Sequence, residues 1–192
     1  MILKYSSKYI LFCIILFVFK FKKISILLLS FIFFFHREIT INKNYNDKDI
    51  MSPATGKIDK IILNQNTYTI SIFLGLFDHH IQYSPMNSKI KNIIYKPGKF
   101  KPAYFFEKTK YNERLITTLE TKIGEIVIEQ IAGQIARNVI HFNFKNSIIQ
   151  KQDKLGMITF GSRVNITLPK TVKLLVKEGQ YIYAGNHIIA SI

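Results

Sequence analysis

Two residues in this chain are placed for unusual chemistry on themselves: Gly161 and Ser162, in the stretch between Leu155 and Pro169. A serine hydroxyl that directly follows a glycine can attack the preceding carbonyl, because glycine sets no side chain over it. An N-to-O acyl shift then converts the amide to an ester. β-Elimination releases Gly161 as a carboxylate and leaves dehydroalanine at 162, which hydrolyses with loss of ammonia to an electrophilic ketone on a new N-terminus. Alone, the pair also reads as a tight connection between strands. A second reactive group is Asp78-His79-His80, where a histidine titrating near neutrality can carry protons; an isolated pair of histidines reads more readily as packing or surface. Arg114, Arg137 and Arg163 offer guanidinium forks to phosphate or carboxylate oxygens, against a plainer role as solvated strand-edge charges. The single Cys13 allows no disulfide framework, and no metal is expected.

These groups need a scaffold, and the patterning predicts a mainly β one. Residues 67–73, 114–120, 124–129 and 164–168 alternate or cluster β-branched residues between turn signals. The stretch from Ile131 to Val139 carries apolar residues at three- and four-residue spacing and predicts the one helix among the strands. The ending, from Val172 through Gly179 and Gly185 to Ala190, reads as strand, turn, short strand, turn, strand, like half of a lipoyl-domain sandwich. The turn at Ser52 and the strand after it supply a matching opening, so a barrel-sandwich hybrid is expected. No lysine lies in a lipoyl or biotinyl hairpin, which disfavours a swinging-arm carrier.

The 192 residues carry a formal charge of +15. Nucleic acid and anionic membrane are the two partners such a balance suggests, and the N-terminus favours membrane over nucleic acid. Residues 9–19 and 24–35 are almost purely Ile, Leu and Phe, and residues 1–37 hold Lys4, Lys8, Lys20, Lys22, Lys23 and Arg37 without an acid. As helices the two runs are about 17 Å each, short of the roughly 30 Å hydrocarbon core. A single helix through both puts three lysines near the membrane centre at about 2.5–3.5 kcal/mol each. Tilted insertion, a re-entrant element and interfacial helices remain open; a cleaved secretory signal lacks its small-residue cleavage site. The expected organisation is a hydrophobic helical anchor over 1–37, a polar linker over 38–50 and a domain over 51–192, membrane-associated on the cytoplasmic face.

Five stretches, in order, resemble the phosphatidylserine decarboxylase proenzymes, in particular their short members. Ser52-Pro53-Ala54-Thr55-Gly56 is similar to the family's Ser-Pro-x-x-Gly turn, and Phe73-Leu74 with Asp78 and His80 to its Phe-Leu-x-x-x-Asp-x-His segment. Asn112-Glu113-Arg114 matches Asn-Glu-Arg, Gln130 to Arg137 matches Gln-Ile-Ala-Gly-x-Ile-Ala-Arg, and Phe160-Gly161-Ser162 resembles the cleavage site. The resemblance implies self-cleavage between Gly161 and Ser162, a pyruvoyl cofactor made from Ser162, and decarboxylation of phosphatidylserine to phosphatidylethanolamine. It implies two fragments that stay associated, one ending at Gly161 and the other running from Ser162 to Ile192. An electron sink is what amino-acid decarboxylation requires, since no ordinary side chain accepts the electron pair that CO2 leaves behind.

Within that resemblance His80 is the expected proton donor and Ser162 the cofactor's source. Asp78 is a possible auxiliary, and Arg137, Arg114 and Arg163 are the candidates for the substrate's headgroup. Two positions depart from the pattern. Longer bacterial members carry an aspartate where Thr55 stands and a second histidine where Tyr83 stands, and both serve self-cleavage. Slow maturation, a substitute base among His80, Asp78 and Asp59, or a non-catalytic membrane-bound relative are the readings these departures open. A related serine phospholipid, such as an ether lipid, is the alternative substrate.

Overall fold

The computed structural model describes residues 2–192 apart from Lys20, Asn44, residues 135–138 and residues 159–161. The chain divides into two compact units, Met1–Glu38 and Ile39–Ile192. In the first, α1 (Ile2–Val18) and α2 (Lys22–Phe35) form because two long apolar runs contain neither Gly nor Pro to interrupt them. They pack on each other. The Ser25 hydroxyl donates to the Cys13 carbonyl at 2.6 Å, and Ser6 Oγ lies 2.8 Å from His36 Nε2. Among the described residues no helix is long and apolar enough to cross a membrane.

The second unit is mainly β. Its strands begin with β1 (Asp49–Met51), β2 (Gly56–Leu63), β3 (Thr67–Leu74), β4 (Ile81–Tyr83) and β5 (Ser88–Lys96). A 3-10 helix (Phe106–Tyr111) separates these from β6 (Arg114–Thr121), β7 (Gly124–Ala132), β8 (Val139–His141), β9 (Ile148–Ile149) and β10 (Lys154–Ile158). The chain ends with β11 (Ser162–Pro169), β12 (Lys173–Leu174), β13 (Tyr181–Ile182) and β14 (Ile188–Ser191). Among the described residues the strands form an eight-stranded sheet, β13-β2-β3-β11-β7-β6-β5-β9, and two three-stranded sheets, β4-β10-β8 and β1-β14-β12. The named strand pairs are antiparallel.

Period-two alternation sorts the residues of the large sheet. In β6, Leu115, Thr117 and Leu119 are buried while Arg114, Ile116 and Thr118 are partly exposed. In β11, Val164, Ile166 and Leu168 join the core with Ile70, Ile72 and Leu74 of β3 and Ile126 and Ile128 of β7. Each such side chain contributes about 1.5–3 kcal/mol of burial. Chain closure also draws on both ends: β1 pairs with β14 and β2 with β13. Gly56 is needed where β2 starts, because a Cβ there would lie 2.2 Å from the Phe73 carbonyl oxygen.

Two sequence readings meet different structure. Ile131 and Ala132 finish β7 and Val139 opens β8, so the ends of the expected helix are strands, and residues 135–138 lie outside the described ones. From Ile39 onward, the stretch read as a linker is fastened to its unit. Asn42 N–H donates to Asn186 Oδ1, Asn186 Nδ2 to the Thr40 carbonyl, and Gln152 Nε2 to the Asn42 carbonyl.

Candidate active site

Ser162 is the first residue of β11, paired with Leu74 of β3 on one side and Ala132 of β7 on the other. It is fully buried, and among the described residues its hydroxyl has no hydrogen-bond partner. An orphaned buried hydroxyl costs on the order of 1–3 kcal/mol. Alternation sets Ser162 on the face of Val164 and Ile166, and Arg163 on the opposite one. Gly161 lies outside the described residues.

His80 is fully buried and stands just before β4. Its Nδ1 is 2.8 Å from the Asp78 carbonyl. A carbonyl only accepts, so Nδ1 holds the proton in this bond and the lone pair belongs to Nε2. The loop beneath is shaped by the Asp78 carboxylate, which accepts the Gly75 N–H at 2.7 Å through Oδ2 and the Tyr181 hydroxyl through Oδ1. The His80 carbonyl accepts from Ile158 N at 3.1 Å and from Gln82 Nε2 at 2.8 Å. Ile158 ends β10, so the histidine's backbone is tied to the strand that leads directly into the Gly161–Ser162 segment.

Residues not singled out from sequence extend this arrangement. Gln130 Nε2 donates to Gln82 Oε1 at 2.8 Å, and both amides are fully buried. Gly156 lets β10 approach them, since a Cβ there would meet Gln130 Nε2 at 2.8 Å and the Ile140 carbonyl at 2.4 Å. His141, paired with Gly156, has a buried Nε2 without a partner. Burial lowers its pKa, against the opposing bond to Asn143. The signal for Gln130 was available: a polar side chain two residues after Ile128 and four after Ile126, on the core-facing side of an alternating strand.

The cations go to different places. Arg163 is wholly buried on the far face, where NH1 meets Asp59 Oδ2 at 2.8 Å and Ser71 Oγ at 2.7 Å and NH2 donates to the Ala103 carbonyl at 2.9 Å. It is therefore an internal ion pair and not a solvated edge charge. Burial pulls its pKa down, and Asp59 opposes that pull. Asp59 is engaged on that face too. Arg114 donates to the carbonyls of Thr109 and Lys110, closing the 3-10 helix, and approaches Glu129 at 3.7 Å. It lines a pocket of about 220 Å³ with Phe106, Lys110 and Asn165. Arg137 lies outside the described residues. Asn112 donates through Nδ2 to the carbonyls of Lys101 and Ala132, both at 2.8 Å, which steadies the β7 end opposite Ser162.

The two departures from the pattern are buried as well. Thr55 Oγ1 accepts the Ala184 N–H at 3.0 Å, and the Tyr83 backbone donates to the Pro53 carbonyl at 2.9 Å. Among the described residues no group of three or more His, Cys, Asp or Glu is arranged to hold a metal ion.

Comparison with known proteins agrees in extent. The model of the phosphatidylserine decarboxylase family matches residues 28–190. The phosphatidylserine decarboxylase proenzyme of Carboxydothermus hydrogenoformans is 36% identical over 86% of this chain and 82% of its own length. That of Syntrophus aciditrophicus is 35% identical over 73% of this chain and 70% of its own. A Methanosarcina barkeri protein, provisionally named archaetidylserine decarboxylase proenzyme, is 33% identical over 88% of this chain and 81% of its own. With a match that runs through the buried serine, the histidine loop and the strands that hold them, the chain belongs to the phosphatidylserine decarboxylase family.

Proposed function

We propose that this protein decarboxylates phosphatidylserine to phosphatidylethanolamine with a pyruvoyl group that it makes by cleaving itself between Gly161 and Ser162. The observation that carries the reading is the buried, unpartnered Ser162 hydroxyl at the head of a central strand, with His80 fastened to the strand that precedes it. The residues fit such a group: the position is buried, flanked on both sides by β3 and β7, and its hydroxyl has no hydrogen-bond partner among the described residues. When present, the group supplies an electrophilic carbonyl that takes up the electron pair released with CO2.

The remaining work falls to side chains. Asp78 holds the loop, its main-chain carbonyl keeps the proton on Nδ1, and His80 Nε2 would take up the proton shed by the substrate's ammonium group and deliver it to the α-carbon once CO2 has left. Burial excludes the water that would compete for that position. The forks of Arg114 and Arg163 are taken up within the fold, so headgroup recognition is assigned to Arg137, with Arg114 and Arg163 shaping the neighbouring strands. We read the pairing of the chain's two ends as the lipoyl-like part of a barrel-sandwich hybrid, and residues 1–37 as a membrane anchor on the cytoplasmic face. The fragments from 1 to 161 and from 162 to 192 remain one molecule.

Intact-mass measurement tests this most directly. Two fragments are expected, the smaller one blocked at its start, and Ser162→Ala should leave one uncleaved, inactive chain. Full activity from uncleaved protein would sink the mechanism, and an uncleaved, inactive wild type would favour the non-catalytic relative. Parallel assays with ester and ether serine phospholipids separate the two substrate readings, as the Methanosarcina relative's name suggests they should be.

A further inference from the structure

The first unit has its polarity turned inside out. The buried polar groups lie between the helices: Ser25 donates to the Cys13 carbonyl, His36 Nδ1 donates to the Ile32 carbonyl at 2.8 Å, and Ser6 Oγ meets His36 Nε2. On the outside, Phe12, Ile15, Val18, Leu27 and Phe33 are between 45% and 71% exposed. A helix pair made for water buries its apolar stripe and solvates the rest. In hydrocarbon the arrangement reverses: polar groups are satisfied internally, and small residues such as serine sit where the backbones meet. Exposed apolar side chains on both helices fit a surrounding solvent better than a second copy, which would cover one face.

The connectivity adds a direction. Ser6 beside His36 brings the start of α1 and the end of α2 together, with the end of α1 at Val18 and the start of α2 at Lys22 on the other side of the hairpin. Helices of 17 and 14 residues are about 25 and 21 Å long, against a hydrocarbon core of roughly 30 Å. Standing upright, such a pair would carry Lys22 and Lys23 past the midplane yet short of the far headgroups. Tilted, it lets both lysines snorkel back to the layer from which it entered. The unit has no acid before Glu38, so its charge suits anionic lipid.

We propose that residues 2–37 form a re-entrant hairpin in an anionic phospholipid bilayer, with both ends at one face and the turn held inside, never reaching the opposite aqueous phase. This rests on the membrane reading above and puts the start of α1 on the same side as the decarboxylase unit that follows Glu38.

The test uses full-length protein with Cys13→Ser and one new cysteine, Ser7→Cys, Phe19→Cys or Arg37→Cys, each variant matching the parent's circular dichroism. The proteins are bound to sealed vesicles of phosphatidylglycerol and phosphatidylethanolamine, with a membrane-impermeant maleimide added outside or trapped within. Ser7→Cys and Arg37→Cys should label from outside to similar extents, and Phe19→Cys from neither side until detergent is added. Reaction of Phe19→Cys with trapped reagent would mean a crossing, and ends labelled from opposite sides a single span. Labelling of Phe19→Cys from outside as fast as Arg37→Cys would mean no insertion; any of the three overturns the hairpin. Sedimentation with vesicles is measured in parallel. Failure to sediment removes the membrane reading itself, whereas sedimentation with a wrong labelling pattern removes only the topology.

Discussion

In the proposed role, His80 carries a proton only while its ring is held in one tautomer, and the hold passes through Asp78 to Tyr181, which lies after the proposed cleavage point. Tyr181→Phe removes the hydroxyl that the Asp78 carboxylate accepts, while the Gly75 N–H bond remains. The expected result is a fall in kcat of about tenfold, the equivalent of about 1.4 kcal/mol, with KM and self-cleavage unchanged. His80→Gln should abolish turnover, and cleaved protein with near wild-type kcat would exclude the histidine. Thr55 is a separate matter. Its hydroxyl accepts the Ala184 N–H, a bond an aspartate could keep while adding a carboxylate. Thr55→Asp with Tyr83→His should therefore speed cleavage of newly made chain without altering mature turnover, which a pulse-chase followed by gel separation reads. If the wild type already cleaves during synthesis and the variant changes nothing, another residue has taken over the base's task.

The sheet β4-β10-β8 approaches β7 at Gly156, where only a hydrogen fits beside the Gln130 amide. Gly156→Ala places a methyl against the Ile140 carbonyl and the Gln130 amide. Overpacking of this kind costs on the order of 1–3 kcal/mol and should lower Tm and slow self-cleavage together; an unchanged Tm would show that the strands yield freely. His141 in β8 makes the same sheet sensitive to acid. Burial lowers its folded pKa below the ordinary 6.5, so on acidification the unfolded chain takes up the proton first. Its contribution is intact above about 6.5 and is lost as pH falls towards the folded value. Tm should decline more steeply between pH 7 and 5 in the wild type than in His141→Gln, and parallel curves would refute the assignment. Sequence patterning located the strands that alternate cleanly, such as β6 and β11, because one face of each meets the core. It read Ile131 to Val139 as a helix, whereas Ile131 and Ala132 end β7 and Val139 opens β8. It also passed over the 3-10 helix at 106–111, whose aromatics and lysines have no periodicity and which Arg114 closes from outside.

Across the whole molecule, the strand that begins at the proposed cleavage point is paired along both of its edges. β11 pairs with β3 from Ser162 to Pro169 and with β7 from Ser162 to Thr167, while β13 and β14 of the same fragment pair with β2 and β1. Ser162 and His80 were readable as chemistry in the sequence; that Ser162 pairs with Leu74 and Ala132 while the His80 carbonyl accepts from Ile158 of β10 was not, because pairing between distant strands leaves no local trace. Cleavage should consequently leave the two chains copurifying through gel filtration and separating only in denaturant. The first unit stands outside this network, since the compact unit from Ile39 to Ile192 contains the eight-stranded sheet, Ser162 and His80. Removing residues 1–38 should leave a folded protein with unchanged Tm that still cleaves at Ser162. Its kcat/KM on short-chain soluble phosphatidylserine should remain within about twofold of the full chain, whereas activity on vesicles should drop at least tenfold, the loss of attachment acting on access to lipid alone. Equal losses on both substrates would mean that the helices support the site itself, and equal vesicle activity would mean that the β unit finds the membrane without them.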